Sequence, residues 1–294
     1  MEIPRLALPP HITQRPFTVK EAHLCGVTPG RLRHRSLTVP TSGARIPSLV
    51  TDRMAALRAF ALVLPGDTAF SHATAARIIG LPLPAGLPDV VHVMRESGRP
   101  PIERAGCISH QGLQHRRAGT IDGIRVVVPG DTWADLGATL SVEDLVIMGD
   151  ALLAAGWVSV ATLAHRAEQP GRRGARRLRV ARALCRPGSA SPGESRARLR
   201  FGEWGLPDAE LNVEVYAADG RWLARPDFTW RQRRVIAEYD GDQHRTDRAQ
   251  WQRDRHRRAG LEDEGWTYVE MTARSLSDPL ESERLRLRLQ RLLT

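Results

Sequence analysis

The sequence predicts a multidomain α+β protein, and three observations carry that expectation. The chain has 294 residues, 41% of them hydrophobic, which is enough for two or three separate cores. Its apolar pattern changes along its length: two short helices, then helices interleaved with strands, then a helix, a run of strands, and helices again. Between the last two patterns lies "QPGRRGARRLRVARALCRPGSA" (residues 169–190), rich in Arg, Gly and Pro. The expected domains are therefore 1–48, a helix-turn-helix with a small wing; 49–168, an α+β domain; 169–190, a basic linker helix; and 191–294, an α/β domain with a mixed sheet.

In the first segment, "FTVKEAHLCGVTPGRLRHR" has Thr18 in N-cap position with Glu21 three residues later, a capping-box pattern. Thr28 followed by Pro29 marks a second helix start. Ala22, Gly26 and Leu32 have the spacing of a helix-turn-helix: a small residue for close helix approach, a glycine for a positive-φ turn, and an apolar residue for burial. The second helix is expected to carry Arg31, Arg33, His34 and Arg35, cationic or polar side chains suited to phosphates and guanine edges in a major groove. "LTVPTSGARI" then reads as a two-stranded wing turning at Gly43.

In the second segment, "RMAALRAFALVL" and "HATAARIIGL" read as helices, and "DVVHVMR", "AGCISHQG" and "IRVVVP" as strands. "DTWADLGATLSVEDLVIMGDALLAAG" reads as two helices, the second capped by Ser141. His72, His92, His110, His115 and His165 show no ligand spacing and are expected to be structural or exposed. Residues 169–190 read as a helix whose arginines either meet solvent or touch nucleic acid.

The third segment predicts a helix over 192–204, strands over 209–216, 221–230 and 234–240, a helix over 246–264, a strand over 266–271 and a helix over 279–293. Asp219-Gly220 is a hairpin turn signal, and Gly265 fits a helix stop. In "RPDFTWRQRRVIAEYDGDQH" the acids stand out. Strand residues alternate between faces, so Ile236, Glu238 and Asp240 share one. A turn centred on Gln232 and Arg233 sets Asp227 opposite Glu238. Like charges opposed across a sheet destabilise it. Such a patch is matched by a hard divalent cation, Mg²⁺ or Mn²⁺, which accepts one or two carboxylates and keeps its waters. A cation held there can polarise a phosphoryl oxygen and activate water. His244, beyond Gly241, is placed to act as general acid or base, or as a further ligand. The competing account pairs these acids with neighbouring arginines on a solvated surface.

The charge balance agrees with an anionic partner. Net charge is +10 and the isoelectric point about 10.8, which favours nucleic acid. Lys20 is the only lysine, so a catalytic lysine in the third segment is excluded. Three scattered cysteines offer neither metal spacing nor an evident disulfide. There is no signal-peptide pattern and no 18-residue apolar run, so a cytoplasmic protein without membrane spans is expected.

"PD", ten residues and then "EYD", following a helix and lying on successive strands, resembles the PD-(D/E)xK nuclease superfamily. With "EYDGDQH", an Arg-rich helix and "GWTYVEMT", residues 190–294 are most similar to Vsr-like endonucleases, in a branch known as a domain of unknown function. That resemblance implies a restriction-endonuclease-like fold. It makes Asp227 the main metal ligand, Glu238 the second acid and Glu194 the acid from the first helix; Ser191 with Glu194 is equally a capping box. The motif's lysine position falls on Asp240, a departure that puts activity in doubt. Vsr-like enzymes use histidine instead, which points to His244. Residues 15–165, with "TWADL" and "GDALL", resemble the AbiEi-type antitoxins, in which a winged helix binds DNA and the next domain is linked to neutralising a toxin. The expectation is a DNA-targeted, metal-dependent endonuclease. The alternative is an antitoxin-type repressor, with a cognate toxin as partner and an inactive nuclease fold.

Overall fold

The computed structural model describes residues 8–52, 54–241 and 257–294. The architecture is multidomain α+β, with helices and several sheets divided between two compact units, Met1–Leu136 and Gly137–Thr294.

The first unit begins with a strand β1 (Phe17–Thr18), helices α1 (Val19–Leu24) and α2 (Pro29–Leu32), and strands β2 (Leu37–Thr38) and β3 (Ala44–Pro47). The helix starts are built as the sequence implies. Thr18 Oγ1 accepts from the Glu21 N–H, and Thr28 Oγ1 from the Arg31 N–H. Ala22 and Leu32 are buried with Leu8, Ile12, Phe17, Val27 and Leu37. Gly26, between the helices, has φ 74°, a conformation that only glycine adopts freely. The strands form a small sheet in the order β1-β3-β2.

The rest of this unit contains α3 (Ala55–Ala61), β4 (Ala69–Phe70), α4 (His72–Ile79), β5 (Val91–Arg95), β6 (Cys107–Gln111), β7 (Ala118–Ile121), β8 (Ile124–Val127) and α5 (Pro129–Asp135). Its five-stranded sheet runs β6-β5-β4-β8-β7. The two strands without a sequence signal, β4 and β7, join β5 and β8 through sheet pairing. Phe60, Phe70, Ala75, Ile78, Val93, Ile124 and Val126 close the core.

The second unit contains α6 (Val142–Ala154), α7 (Val160–Glu168), α8 (Ala175–Leu184) and α9 (Pro192–Glu203). After these come β9 (Glu210–Leu211), β10 (Val215–Tyr216), β11 (Trp222–Ala224), β12 (Phe228–Trp230), β13 (Val235–Asp240), a helix α10 described over 257–263, β14 (Thr267–Thr272), α11 (Ala273–Ser277) and α12 (Pro279–Leu293). The expected boundaries at 168 and 191 lie inside this unit. The physical reason is burial. Leu178 and Ala181 of α8 are fully buried, and Gly137 approaches Leu178 so closely that an added methyl group would lie 2.5 Å from it. Asp150 of α6, with no exposure, accepts hydrogen bonds from Ser195 Oγ at 2.8 Å, Arg198 at 2.7 Å and the Arg186 N–H at 2.9 Å. Helix α8 is thus packed through one face, while Arg173, Arg176, Arg177 and Arg179 are exposed.

The main sheet of this unit is mixed, in the order β14-β13-β12-β9, with β13 and β14 parallel and the other pairs antiparallel. Its core unites α9 (Ala197, Phe201), β12 (Phe228, Trp230), β13 (Val235, Ala237), β14 (Val269, Met271) and α12 (Leu285, Leu289, Leu293). The long strands expected over 209–216 and 221–230 are each broken. Asn212, at φ 51°, interrupts the first and Pro226 the second, since proline donates no ladder hydrogen bond. The pieces between the breaks, β10 and β11, form a separate hairpin that turns through Gly220.

Candidate active site

The acidic site is assembled from α9, the segment entering β12, and β13. The Phe228–Ala237, Thr229–Ile236 and Trp230–Val235 pairs carry the register that sets Asp227 across from Glu238. Residues 231–233 form the 3-10 turn between the strands, closed by Arg234 at φ 49°. The opposed arrangement expected from the sequence is therefore present.

Glu194 reaches the same place because α9 is held close to β13. Gly193 lies against the Tyr239 ring, where an added Cβ would sit 2.1 Å from a ring carbon. Ser191 Oγ caps α9 by accepting from the Glu194 N–H at 3.2 Å. The Glu194 carboxylate does not complete the capping box onto Ser191. It accepts from the Ala190 N–H and from Asn212 Nδ2, both at 2.7 Å. Asn212 also donates its backbone N–H to the Asp227 carbonyl at 3.1 Å and its side chain to the Gly188 carbonyl, so it ties the helix acid to the strand acid.

The Asp227 carboxyl is pushed up to about 7, by burial first and then by the neighbouring charges of Glu194 and Glu238. A hydrogen bond from the Tyr239 N–H to Oδ2, 2.7 Å long, and the positive charge of Arg257 oppose the rise. Glu238 Oε2 accepts from Arg257 and from the Tyr268 hydroxyl, each at 2.9 Å. Burial and the Glu238 carboxylate hold the Tyr268 hydroxyl well above the usual phenol range. Arg258 lies over the Tyr268 ring, 4.8 Å from its centroid, a cation–π contact.

The structure thus brings Glu194, Asp227 and Glu238 into one electrostatic group. Asp240 stands nearer the strand end, paired with Thr272 and half-buried, and it is absent from the charges acting on Asp227. His244 lies outside the described residues. The donors fit a divalent cation in kind: three carboxylates, of which Glu194 is buried and Asp227, half-buried, is pushed up to about 7 despite the positive charge of Arg257. Among the described residues, hydrogen bonds engage Oδ2 of Asp227 and Oε2 of Glu194 and Glu238. Among the described residues these three carboxylates do not form a group whose ligand oxygens all lie within 4.8 Å of one another, so as placed they make no tight cage.

In the first unit, α2 is a single turn, so Arg31 alone of the expected basic set lies on it. Arg33, His34 and Arg35 follow in the turn before β2. Arg33 and Arg35 are exposed. Arg31 donates to Ser36 Oγ at 3.0 Å, and His34 Nδ1 lies 2.9 Å from the same hydroxyl.

Two groups went unseen in the sequence. One is Asn212, whose only signal is that it is the chain's single asparagine. The other is His72, His92 and His110, whose ligand nitrogens lie within 4.8 Å of one another. Burial, first of all, lowers all three, His72 to about 3 and His110 to about 4. No local spacing announced this triad, because its members come from two paired strands and the start of α4.

No family model matches the chain. Two proteins of Mycobacterium tuberculosis, uncharacterised protein Rv2248 of strain H37Rv and uncharacterised protein MT2308 of strain CDC 1551, are each 37% identical over 103 residues. The matched stretch is 35% of this chain and 38% of each relative, so the chain spans well under half of their length. The crystal structure of the RV2827C protein from M. tuberculosis is similar over 69% of this chain and 84% of that one, at 16% identity and a TM-score of 0.36. No helix among the described residues is long and apolar enough to cross a membrane.

Proposed function

We propose that the chain is a divalent-metal-dependent endonuclease that hydrolyses phosphodiester bonds in DNA, with the basic N-terminal segment as its DNA-binding part. The observation that carries this is the opposition of Asp227 and Glu238 across β12 and β13, with Glu194 from α9 close enough to raise Asp227. Asp227 and Glu238 would hold Mg²⁺ or Mn²⁺, which when bound supplies Lewis acidity and lowers the pKa of a coordinated water. The residues of the chain do the rest. Burial and the charges of Glu194 and Glu238 favour the protonated form of Asp227, and a cation held there would favour its carboxylate. The Tyr239 N–H orients the Asp227 carboxylate and Asn212 the buried Glu194 carboxylate. Arg257 and Arg258 offer positive charge to a phosphate beside Glu238.

A second account is an antitoxin-type DNA-binding repressor with an inactive nuclease fold, partnered by a toxin. It is favoured by Asp240 at the motif's lysine position and by the Arg257–Glu238 ion pair, which already neutralises one of the acids. Incubating the purified chain with supercoiled plasmid and Mg²⁺ or Mn²⁺ separates the two. Nicking that disappears in Asp227→Ala while DNA binding remains supports the nuclease. Binding without cleavage in either metal supports the repressor, and cleavage that survives in Asp227→Ala rejects the assigned site.

A further inference from the structure

We propose that His72, His92 and His110 form a binding site for a divalent transition-metal ion of the Zn²⁺ class, with a fourth coordination position open to water or an external donor. The site is separate from the acidic group and does not depend on the nuclease assignment.

Three different elements deliver the histidines. His92 lies on β5 and His110 on β6. The parallel register pairs His92 with Ile108 and Met94 with His110, so the two histidines are diagonal neighbours on one face. His72 is the first residue of α4, immediately after β4, and the Ser71 N–H donates to the His92 carbonyl at 3.0 Å, which locks this entry to β5. The outcome is three stacked imidazoles, with ring planes 13–24° apart. Ring centroids are 3.7 Å apart for His72–His110, 5.3 Å for His92–His110 and 5.7 Å for His72–His92.

Several features point to a metal rather than to ordinary packing. His72 has φ 49°, a left-handed conformation that costs a residue with a Cβ and collects at functional sites. His92 Nδ1 and His110 Nε2 are 3.0 Å apart. Tetrahedral zinc with Zn–N bonds of about 2.0–2.1 Å sets its nitrogens about 3.4 Å apart, a few tenths of an ångström away. Ser71 Oγ lies 3.0 Å from His72 Nδ1, the kind of partner that orients a metal-bound imidazole. All three rings are half-buried, so an ion bound there keeps a route to solvent. Among the described residues no carboxylate hydrogen-bonds to these rings, so the donor set is all nitrogen and selects a borderline ion over Mg²⁺. The arginines whose charges act on His72 and His92 are themselves paired, Arg116 with Asp135 at 2.7 Å and Arg77 with Asp89 at 3.8 Å.

The test is a Co²⁺ titration of the untagged full chain, followed by displacement with Zn²⁺ and X-ray absorption at the zinc edge. The expected results are a single visible-absorbing Co²⁺ equivalent and three imidazoles around zinc. His92→Ala and His110→Ala should each weaken binding at least about tenfold, the loss that even a supporting hydrogen bond to a metal ligand carries. The visible-absorbing Co²⁺ equivalent should persist in excess Mg²⁺, which an all-nitrogen donor set disfavours. Absence of stoichiometric binding by the wild-type chain, or fewer than three imidazoles at zinc, overturns the site. So does binding that is lost in Asp227→Ala but kept in the His92→Ala/His110→Ala double variant.

Discussion

Replacing Asp227 by asparagine should change how stability responds to pH, because Asp227 holds its proton far more tightly in the folded chain than in the unfolded one. Its carboxyl moves from 3.8 to about 7. Between these values the folded state carries a proton that the unfolded state has lost, so stability falls as pH rises through this window. At roughly 1.4 kcal/mol per pH unit, ionised Asp227 costs the apo fold about 4 kcal/mol above pH 7. The asparagine side chain keeps an oxygen for the Tyr239 N–H and carries no titration. Whatever the substitution costs in itself, the stability difference between the two proteins should shift by about 2 kcal/mol in favour of the Asp227→Asn variant between pH 5 and 7. Urea melts followed by tryptophan fluorescence measure this, since Trp157, Trp204, Trp222, Trp230 and Trp266 all lie in the second unit. Saturating Mg²⁺ at pH 8 should stabilise the wild type and leave the variant unmoved. Parallel pH profiles for the two proteins would refute the burial-and-repulsion account of this group.

Other perturbations test the surrounding framework. Gly193→Ala drives a methyl group into the Tyr239 ring; it should cost about 1–3 kcal/mol in a denaturant melt and abolish cleavage by displacing Glu194. Arg198→Met leaves Asp150 fully buried without its cation and should cost about 3–5 kcal/mol by the same measurement. Arg33→Ala with Arg35→Ala should weaken DNA binding uniformly across sequences. It should also flatten the plot of log affinity against log salt by about two units, read by fluorescence anisotropy.

Much of the acidic site was legible from the residues. A period-two strand puts Glu238 and Asp240 on one face; a turn centred on Gln232 and Arg233 sets Asp227 opposite Glu238, but Gln-Arg is not a strong turn pair, and the pairing of β12 with β13 fixes that register. Helix starts at Thr18, Thr28, Ser141 and Ser191 were equally local, since a hydroxyl reaches only the first turn of its own helix. The basic residues after α2 were assigned to a helix because nothing near them announces its end; α2 stops after one turn, where Arg33 caps it.

What escaped the sequence was decided by groups distant along the chain. Whether α8 is a connector or part of a core depends on Leu178 meeting the backbone at Gly137, and on Asp150 finding Arg198 and Ser195. The proton affinity of Asp227 depends on burial and on a helix acid that Asn212 anchors. The histidine triad depends on β5 and β6 pairing in parallel beside the start of α4. Caps, turns and alternation act over a few bonds and so can be read along the chain. Burial and convergence are properties of chain closure, and they exist only once remote segments have paid the entropy of meeting.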